Sequence, residues 1–363
     1  AVSPSGASVT VEKGEIKRIP VDIALPGASE PFELEEFSVR DGLNSSYRLE
    51  AVYMEPIKVD VYPVLEDNHA EVVTKIENMT ESVMNGKIRW SFQHKEIEGD
   101  IPFTDLRPGA SAVATKKVKP ARGAVTLVAK AETETGLFGK GKLNLWGQPF
   151  VQHGMNIDAS INDWTEFPFI HLNSEDHQIL PERTDLYDDA ELSAMVSMGW
   201  TADDLYLAAN VTDATPLLNP HEKNEIWRGD SFELYLGFKG PTRDKRYGDH
   251  HYQIDISPGH NGNNPTVWNW RPKDPNAPDE GVAIEDAEVS SRESKNGYIL
   301  EARIPLKSIG ENIVPGQIIG FDLTLNNKDS RVSESKDAAF TWNGDGTNWQ
   351  DPSGWGAAFI IAE

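Results

Sequence analysis

The feature that most constrains this chain is a hydrophobic period of two that recurs along it. Ile57, Val59 and Val61 alternate with Lys58, Asp60 and Tyr62, and Ile88, Trp90 and Phe92 alternate with Lys87, Arg89 and Ser91. Val125, Leu127, Ala129 and Ala131 repeat the pattern against Thr126, Val128 and Lys130. Successive side chains of a strand point to opposite faces, so this spacing predicts half-buried antiparallel strands. Asn85-Gly86 and Arg107-Pro108-Gly109 punctuate the runs at short intervals, as hairpins require. Residues 56–147 therefore read as one immunoglobulin-like β-sandwich. Residues 1–55 are strand-like too, with Val9-Thr10-Val11 and Ile19-Pro20-Val21-Asp22-Ile23. They are too few for a second sandwich, and either complete the next domain or are the remnant of a preceding one.

Beyond residue 150 the strands continue with longer polar loops between them. Leu205 to Val211, Phe232 to Leu236, Tyr252 to Ile256, Tyr298 to Ile304 and Ile319 to Leu325 are strand runs, and no amphipathic helix longer than two turns is evident. The fold class is all-β: an immunoglobulin-like β-sandwich followed by a larger one over 152–363. Leu145-Trp146-Gly147-Gln148-Pro149-Phe150 reads as a short aromatic linker that fixes the angle between them.

Charge narrows the partners. The chain of 363 residues has a formal charge of −24. Residues 1–150 hold 18 Lys and Arg against 22 Asp and Glu, and the rest hold 16 against 36, so the acid lies in the second sandwich. Such a surface repels phosphate backbones and anionic lipid, which argues against nucleic-acid or membrane partners. It favours cations, neutral sugars, or simply solubility. There is no Cys, which removes disulfides and thiol chemistry. The start, Ala1-Val2-Ser3-Pro4, has neither an initiator Met nor the apolar core of an export signal. A mature secreted or cell-surface bacterial protein, or a fragment of something longer, is expected.

The ordered elements after 150 resemble the family 9 carbohydrate-binding modules, of the DOMON-like β-sandwich superfamily. The resemblance rests on Ile157-Asp158-Ala159-Ser160-Ile161-Asn162-Asp163-Trp164, Asp204-Leu205-Tyr206-Leu207 with Val211-Thr212-Asp213, and Ile226-Trp227-Arg228-Gly229-Asp230-Ser231-Phe232-Glu233-Leu234. Asn296-Gly297-Tyr298 through Ile304-Pro305, Ile319-Gly320-Phe321-Asp322, and Trp349-Gln350-Asp351-Pro352-Ser353-Gly354-Trp355-Gly356 follow in the family's order. The family implies non-catalytic binding of a mono- or oligosaccharide, characteristically at a polysaccharide chain end. It also implies structural Ca²⁺ and a linked polysaccharide-degrading enzyme such as a xylanase, the catalytic module lying elsewhere on a longer chain.

By the same resemblance Trp227 and Trp349 sandwich a sugar ring, and both sit amid polar neighbours rather than in an apolar stripe. Indole planes suit the C–H faces of a pyranose, and polar groups suit its hydroxyl rim. Glu233, with Tyr235, occupies the strand face opposite Phe232, Leu234 and Leu236, and matches a carboxylate that accepts sugar hydroxyls. Gln253 stands where a family member has Arg, Thr324 where another has an amide, and Gly346 where another has Asn, so the rim is altered. Asn348, beside Trp349, is a further rim candidate. Trp268 and Trp270, spaced i, i+2, either widen the platform or anchor their loop. Asp213, Asn219 and Asp230 resemble the family's metal loop before the first tryptophan; Asp185, Asp188 and Asp189 form a second acidic cluster.

Other readings stay open at this point. Relatives in the superfamily bind b-type haem through Met with His or Lys, and Met195 or Met198 with His171, His177 or His221 offer such ligands. A glycoside-active enzyme needs two carboxylates across a cleft, which sequence alone does not place. A surface scaffold would use both sandwiches for protein contacts.

Overall fold

The computed structural model describes residues 37–40, 46–49 and 55–362, apart from 67–68, 93–94, 119–120, 181–186, 216, 261–264, 275 and 330–333. The expected strands at Val9–Val11 and Ile19–Ile23, and Asp185 of the second acidic cluster, lie outside the described residues. Residues 1–55 are a unit of their own, in which Phe37–Arg40 and Ser46–Leu49 pair antiparallel. The remainder, from Pro56, is a second unit. Its helical content among the described residues is the four-residue helix Ser174–His177 and a few short 3-10 turns. No helix among them is long and apolar enough to cross a membrane.

The period of two becomes strands where it was read. Ile57–Glu66, His69–Asn78 and Ser111–Val118 make one antiparallel sheet. Met84–Phe92 lies between Lys95–Leu106 and Gly123–Thr133 in another, which continues through Phe138–Phe150. Ile57, Val72 and Ile76 of the first sheet share a buried core with Ile88, Trp90, Leu127 and Leu143 of the second. Apolar residues at alternate positions face this core, and the intervening lysines and acids face water or pair across the surface, as Lys87 does with Asp100 at 3.0 Å.

The larger sandwich packs two further layers. One runs in the order Glu288–Ser294, Gly297–Pro305, Asp204–Asp213, Leu192–Trp200, Phe169–Leu172. The other runs Thr266–Asn269, His251–Ser257, Ser231–Gly237, Ile318–Asn327. The last of these pairs along one half with Ala338–Thr341 and along the other with Gly356–Ala362. Leu205, Leu207, Leu300 and Ile304 meet Phe232, Leu234, Ile254 and Leu323 in the core between them.

The expected linker is no linker. Leu145 to Phe150 end the long strand Phe138–Phe150, which runs parallel to Gly356–Ala362 with Leu145 opposite Ala357. Leu143 and Leu145 point into the smaller core and Trp146 into the larger; on the neighbouring strand Ala357 and Phe359 face the smaller, Ala358 and Ile360 the larger. Two shared strands thus fuse the sandwiches expected at 56–147 and 152–363 into one compact body. Gly147 is required in this seam: a Cβ there would stand 1.8 Å from the Ala121 carbonyl oxygen.

The Ile157–Trp164 motif also has a structural task. Glu301, fully buried, accepts hydrogen bonds from Trp164 Nε1 at 2.7 Å, Asp158 N at 2.9 Å and Ser160 N at 3.1 Å. A buried carboxylate with three N–H donors has its oxygens satisfied, so this clasp covers the outer face of the Asp204–Asp213 and Gly297–Pro305 strands, where Trp164 packs with Tyr206 and Ala208.

Candidate carbohydrate-binding site

A cleft of about 720 Å³ opens on the outer face of the Ser231–Gly237, His251–Ser257 and Ile318–Asn327 strands. Glu233 and Tyr235 project outward because Phe232, Leu234 and Leu236 take the core side. The register sets Gln253 opposite Tyr235, Asp255 opposite Glu233 on one flank, and Thr324 opposite Glu233 on the other. Trp227, Glu233, Tyr235, Gln253, Thr324 and Trp349 all line this cleft. Trp349 is 52% exposed, unlike the fully buried Trp90, Trp146, Trp164 and Trp200, so its indole is available to a ligand.

Glu233 is the electrostatic centre of the floor. Its Oε2 accepts from Tyr235 OH at 2.7 Å and Gln253 Nε2 at 3.1 Å, and its Oε1 from Asn326 Nδ2 at 2.8 Å and Lys336 Nζ at 3.0 Å. Burial alone would raise its pKa, but the Lys336 charge and these hydrogen bonds outweigh it and hold the carboxyl below its ordinary value. Asp255 next to it goes the other way: burial, then the Glu233 charge, push it well above the carboxylate range. The floor therefore sets two acids side by side whose carboxyls are shifted in opposite directions. Lys336 also donates to Asn326 Oδ1 at 2.6 Å and stands 5.3 Å from the centre of the Trp227 ring, with the Arg228 guanidinium 5.2 Å from that ring. These cations hold the indole by attraction to its quadrupole.

Behind the cleft lies a brace that fixes Trp349. Asp322 accepts from the backbone N–H of Leu323, Asn343 and Gly344 and from Asn348 Nδ2. Burial pushes its carboxyl up to about 7 against those hydrogen bonds. Asn348 is a correction: its amide is buried and donates to Asp322 and to Thr341 Oγ1 at 3.0 Å, and its carbonyl accepts from Tyr247 OH at 2.7 Å. It shapes the Trp349 loop and does not line the cleft. Trp355, buried, packs against Tyr235, Tyr247 and His251 with ring centres 5.4–5.6 Å apart.

Of the two tryptophans in the long loop, Trp268 is the anchor, buried with its Nε1 on the Glu280 carbonyl at 2.9 Å. Trp270 is half-buried and lines the cleft. Residues that sequence reasoning missed are Lys336, Arg271, Asp279, Asp345 and the apolar Ile179, Leu180 and Ala339. Ala339 continues the sheet face of Glu233, opposite Asn326, but Lys336, Arg271, Asp279 and Asp345 lie outside regular strands, where no periodic signal points to a side chain. Gly346 lines the cleft with open space where a Cβ would stand, consistent with a rim lacking one amide.

The acidic residues before and after Trp227, Asp213 and Asp230, do not line the cleft. Asp230 Oδ2 accepts from Leu218 N at 2.5 Å and Oδ1 from Lys328 N at 2.8 Å. Asp213 Oδ1 accepts from Thr215, but its buried Oδ2 has no hydrogen-bond partner. Burial raises both carboxyls, and their mutual charge raises Asp230 further. An orphaned buried carboxylate oxygen beside a second desolvated acid suits a hard cation. Among the described residues no three His, Asp or Glu side chains converge as a ligand set, so carbonyl oxygens would have to complete the shell. Asn219 braces the Trp227 turn, its Nδ2 donating to the carbonyls of Ile226 and Asp230 at 2.8 and 2.9 Å.

Met198 is fully buried in the core, whereas Met195 is 40% exposed and pairs in register with His171 on an outer face.

Residues 173–362, more than half of the chain, match the model of the family described as carbohydrate family 9 binding domain-like. The chain belongs to this family. The matched stretch of this family 9 chain contains all three cleft tryptophans and begins after the Ile157–Trp164 clasp. The chain is 28% identical over 170 residues to endo-1,4-beta-xylanase C of Paenibacillus barcinonensis, covering 46% of this chain and 14% of that protein. It is 30% identical over 177 residues to endo-1,4-beta-xylanase A of Thermoanaerobacterium saccharolyticum, covering 47% and 13%. The chain thus spans about one seventh of the length of these relatives. Among solved structures it resembles a family 9 carbohydrate-binding module from Caldicellulosiruptor kristjanssonii in complex with cellotriose, at 20% identity and a TM-score of 0.44, over 60% of this chain and 94% of that one. A family 9 module of the same organism in complex with glucose gives 22%, 0.43, 60% and 97%.

Proposed function

We propose that this family 9 chain is a non-catalytic module that grips a polysaccharide chain end, stacking a sugar ring between Trp227 and Trp349 over the Glu233 floor. The observation that carries the reading is the exposed Trp349 indole on the same cleft as Trp227 and an ionised Glu233. Apolar ring faces meet the indoles, and hydroxyls exchange hydrogen bonds with Gln253 and Thr324, whose setting the Glu233 network fixes. Two features favour binding over hydrolysis. Glu233 already has four donors, and Asp255 beside it is wholly buried and holds Trp270 Nε1, so the two acids do not stand open across the cleft as a glycosidase pair would. The xylanase relatives point to a linked catalytic module on a longer, secreted or surface-attached bacterial protein. There the module would raise the enzyme's effective concentration on plant or algal glycan.

The test is calorimetric titration of gluco-, xylo- and manno-oligosaccharides and their borohydride-reduced forms into the protein. Saturable binding that reduction abolishes is expected; heat-silent titrations with every sugar would refute the reading.

Structural Ca²⁺ belongs to the same proposal, held by Asp213 and Asp230, where it would neutralise the buried acids and stiffen the turn carrying Trp227. Ca²⁺ at about 100 times its dissociation constant stabilises by about 2.7 kcal/mol, several degrees in melting temperature. The expected result is a rise on adding CaCl₂ after EDTA treatment, lost in Asp213→Asn. Identical melting with and without Ca²⁺ would remove the ion from the account.

A further inference from the structure

We propose that Trp270 is a third aromatic platform, so that the cleft holds at least one sugar ring beyond the one between Trp227 and Trp349. The inference rests on the carbohydrate reading and deepens it. The cleft, at about 720 Å³, lies toward the upper end of the range for pockets that enclose whole organic ligands. Its lining carries Trp270 in addition to Trp227 and Trp349.

The Trp270 ring is presented rather than merely exposed. Its Nε1 donates to Asp255 Oδ2 at 2.7 Å, and its backbone N donates to the Gln253 carbonyl at 3.0 Å. The one polar atom of the indole is thus spent on the floor, and what remains for a ligand is apolar surface. The next residue extends the brace: the Arg271 guanidinium lies 4.6 Å from the centre of the Tyr247 ring, and Tyr247 OH holds the Asn348 carbonyl beside Trp349. Trp270 and Trp349 are therefore held by one connected assembly, and a platform fixed before binding spends little affinity on ordering itself. Trp268, two residues earlier, is already buried and hydrogen-bonded to the Glu280 carbonyl, so the loop does not need Trp270 as its anchor.

Titrations of mono-, di-, tri- and tetrasaccharides of the gluco and xylo series into wild type, Trp270→Ala and Trp270→Phe test this, with melting curves to verify folding. Wild-type affinity should rise with chain length past the shortest bound sugar. Trp270→Ala should leave the shortest bound sugar within about twofold and weaken the tetrasaccharide by about tenfold or more, while Trp270→Phe, which keeps an aromatic face, should stay within about threefold for both. Equal losses on short and long sugars, no loss on either, or a Phe variant as weak as the Ala variant would each overturn the third platform while leaving the Trp227–Trp349 site intact. A wild type that binds no sugar of any length would overturn both readings together.

Discussion

Trp227→Ala should weaken oligosaccharide binding by about 50- to 100-fold while the protein stays folded. An indole that covers about 100 Å² of a pyranose face contributes about 2.5 kcal/mol at 25 cal/mol/Å², which is close to two decades in the dissociation constant. The side chain sits in the turn Lys223–Arg228, where Ile226 and not Trp227 is the buried residue, so truncation removes the platform and spares the sandwich. Trp349→Ala should behave alike, since its indole is half exposed and its loop is braced by Asn348 and Asp322. Trp164→Ala is the contrasting control: it empties a fully buried site and strips the Glu301 clasp of a donor, so it should unfold the protein more readily and affect binding only through that loss. Affinities within threefold of wild type in both Trp227→Ala and Trp349→Ala would move the binding face elsewhere.

Lys336→Met should cost about 3 kcal/mol of stability at neutral pH, read as a lower urea midpoint. The Lys336 and Glu233 side chains are only 17% and 6% exposed, so removing the cation strands a carboxylate that has lost its water. The pH dependence gives the sharper reading. In wild type Glu233 titrates below its ordinary value, so its pairing adds stability above pH 4.5 that disappears as pH falls through the lower folded value. Without Lys336, burial governs and the folded pKa rises above the unfolded one. The native state then binds the extra proton, and stability falls as pH rises. The deficit of the variant should accordingly be small near pH 4 and grow toward pH 8. Lys336→Met with Glu233→Gln should recover most of it, because no charge remains to be paired. A deficit independent of pH would mean that Lys336 acts by packing alone.

The smaller sandwich was legible because its strands are half-solvated. Ile57 and Val61 are buried while Lys58 and Val64 are exposed, and alternation follows directly. Legibility failed where strands are covered on both sides. Every residue from Leu143 to Pro149 is buried, since alternate side chains enter two different cores, and a run without alternation reads as a linker. The same contrast holds in the cleft. Glu233, Tyr235, Gln253 and Thr324 lie on regular strands, where opposite faces follow from position. Lys336, Trp270 and Asn348 lie outside regular strands, where no period dictates side-chain direction, so the first was missed, the second left between two roles and the third misplaced as a ligand.

The parallel seam between Phe138–Phe150 and Gly356–Ala362 also sets an order of events during synthesis. Leu145 and its partner Ala357 are separated by 212 positions. At about 5–20 residues per second, the earlier strand waits roughly ten to forty seconds for the later one to be made. Until then Leu143 and Leu145 lack Phe359 above them, and the smaller core has an open side. The nascent chain must therefore carry a half-finished apolar seam past the ribosome, so the last strand both completes the larger sandwich and ends this period of vulnerability to aggregation.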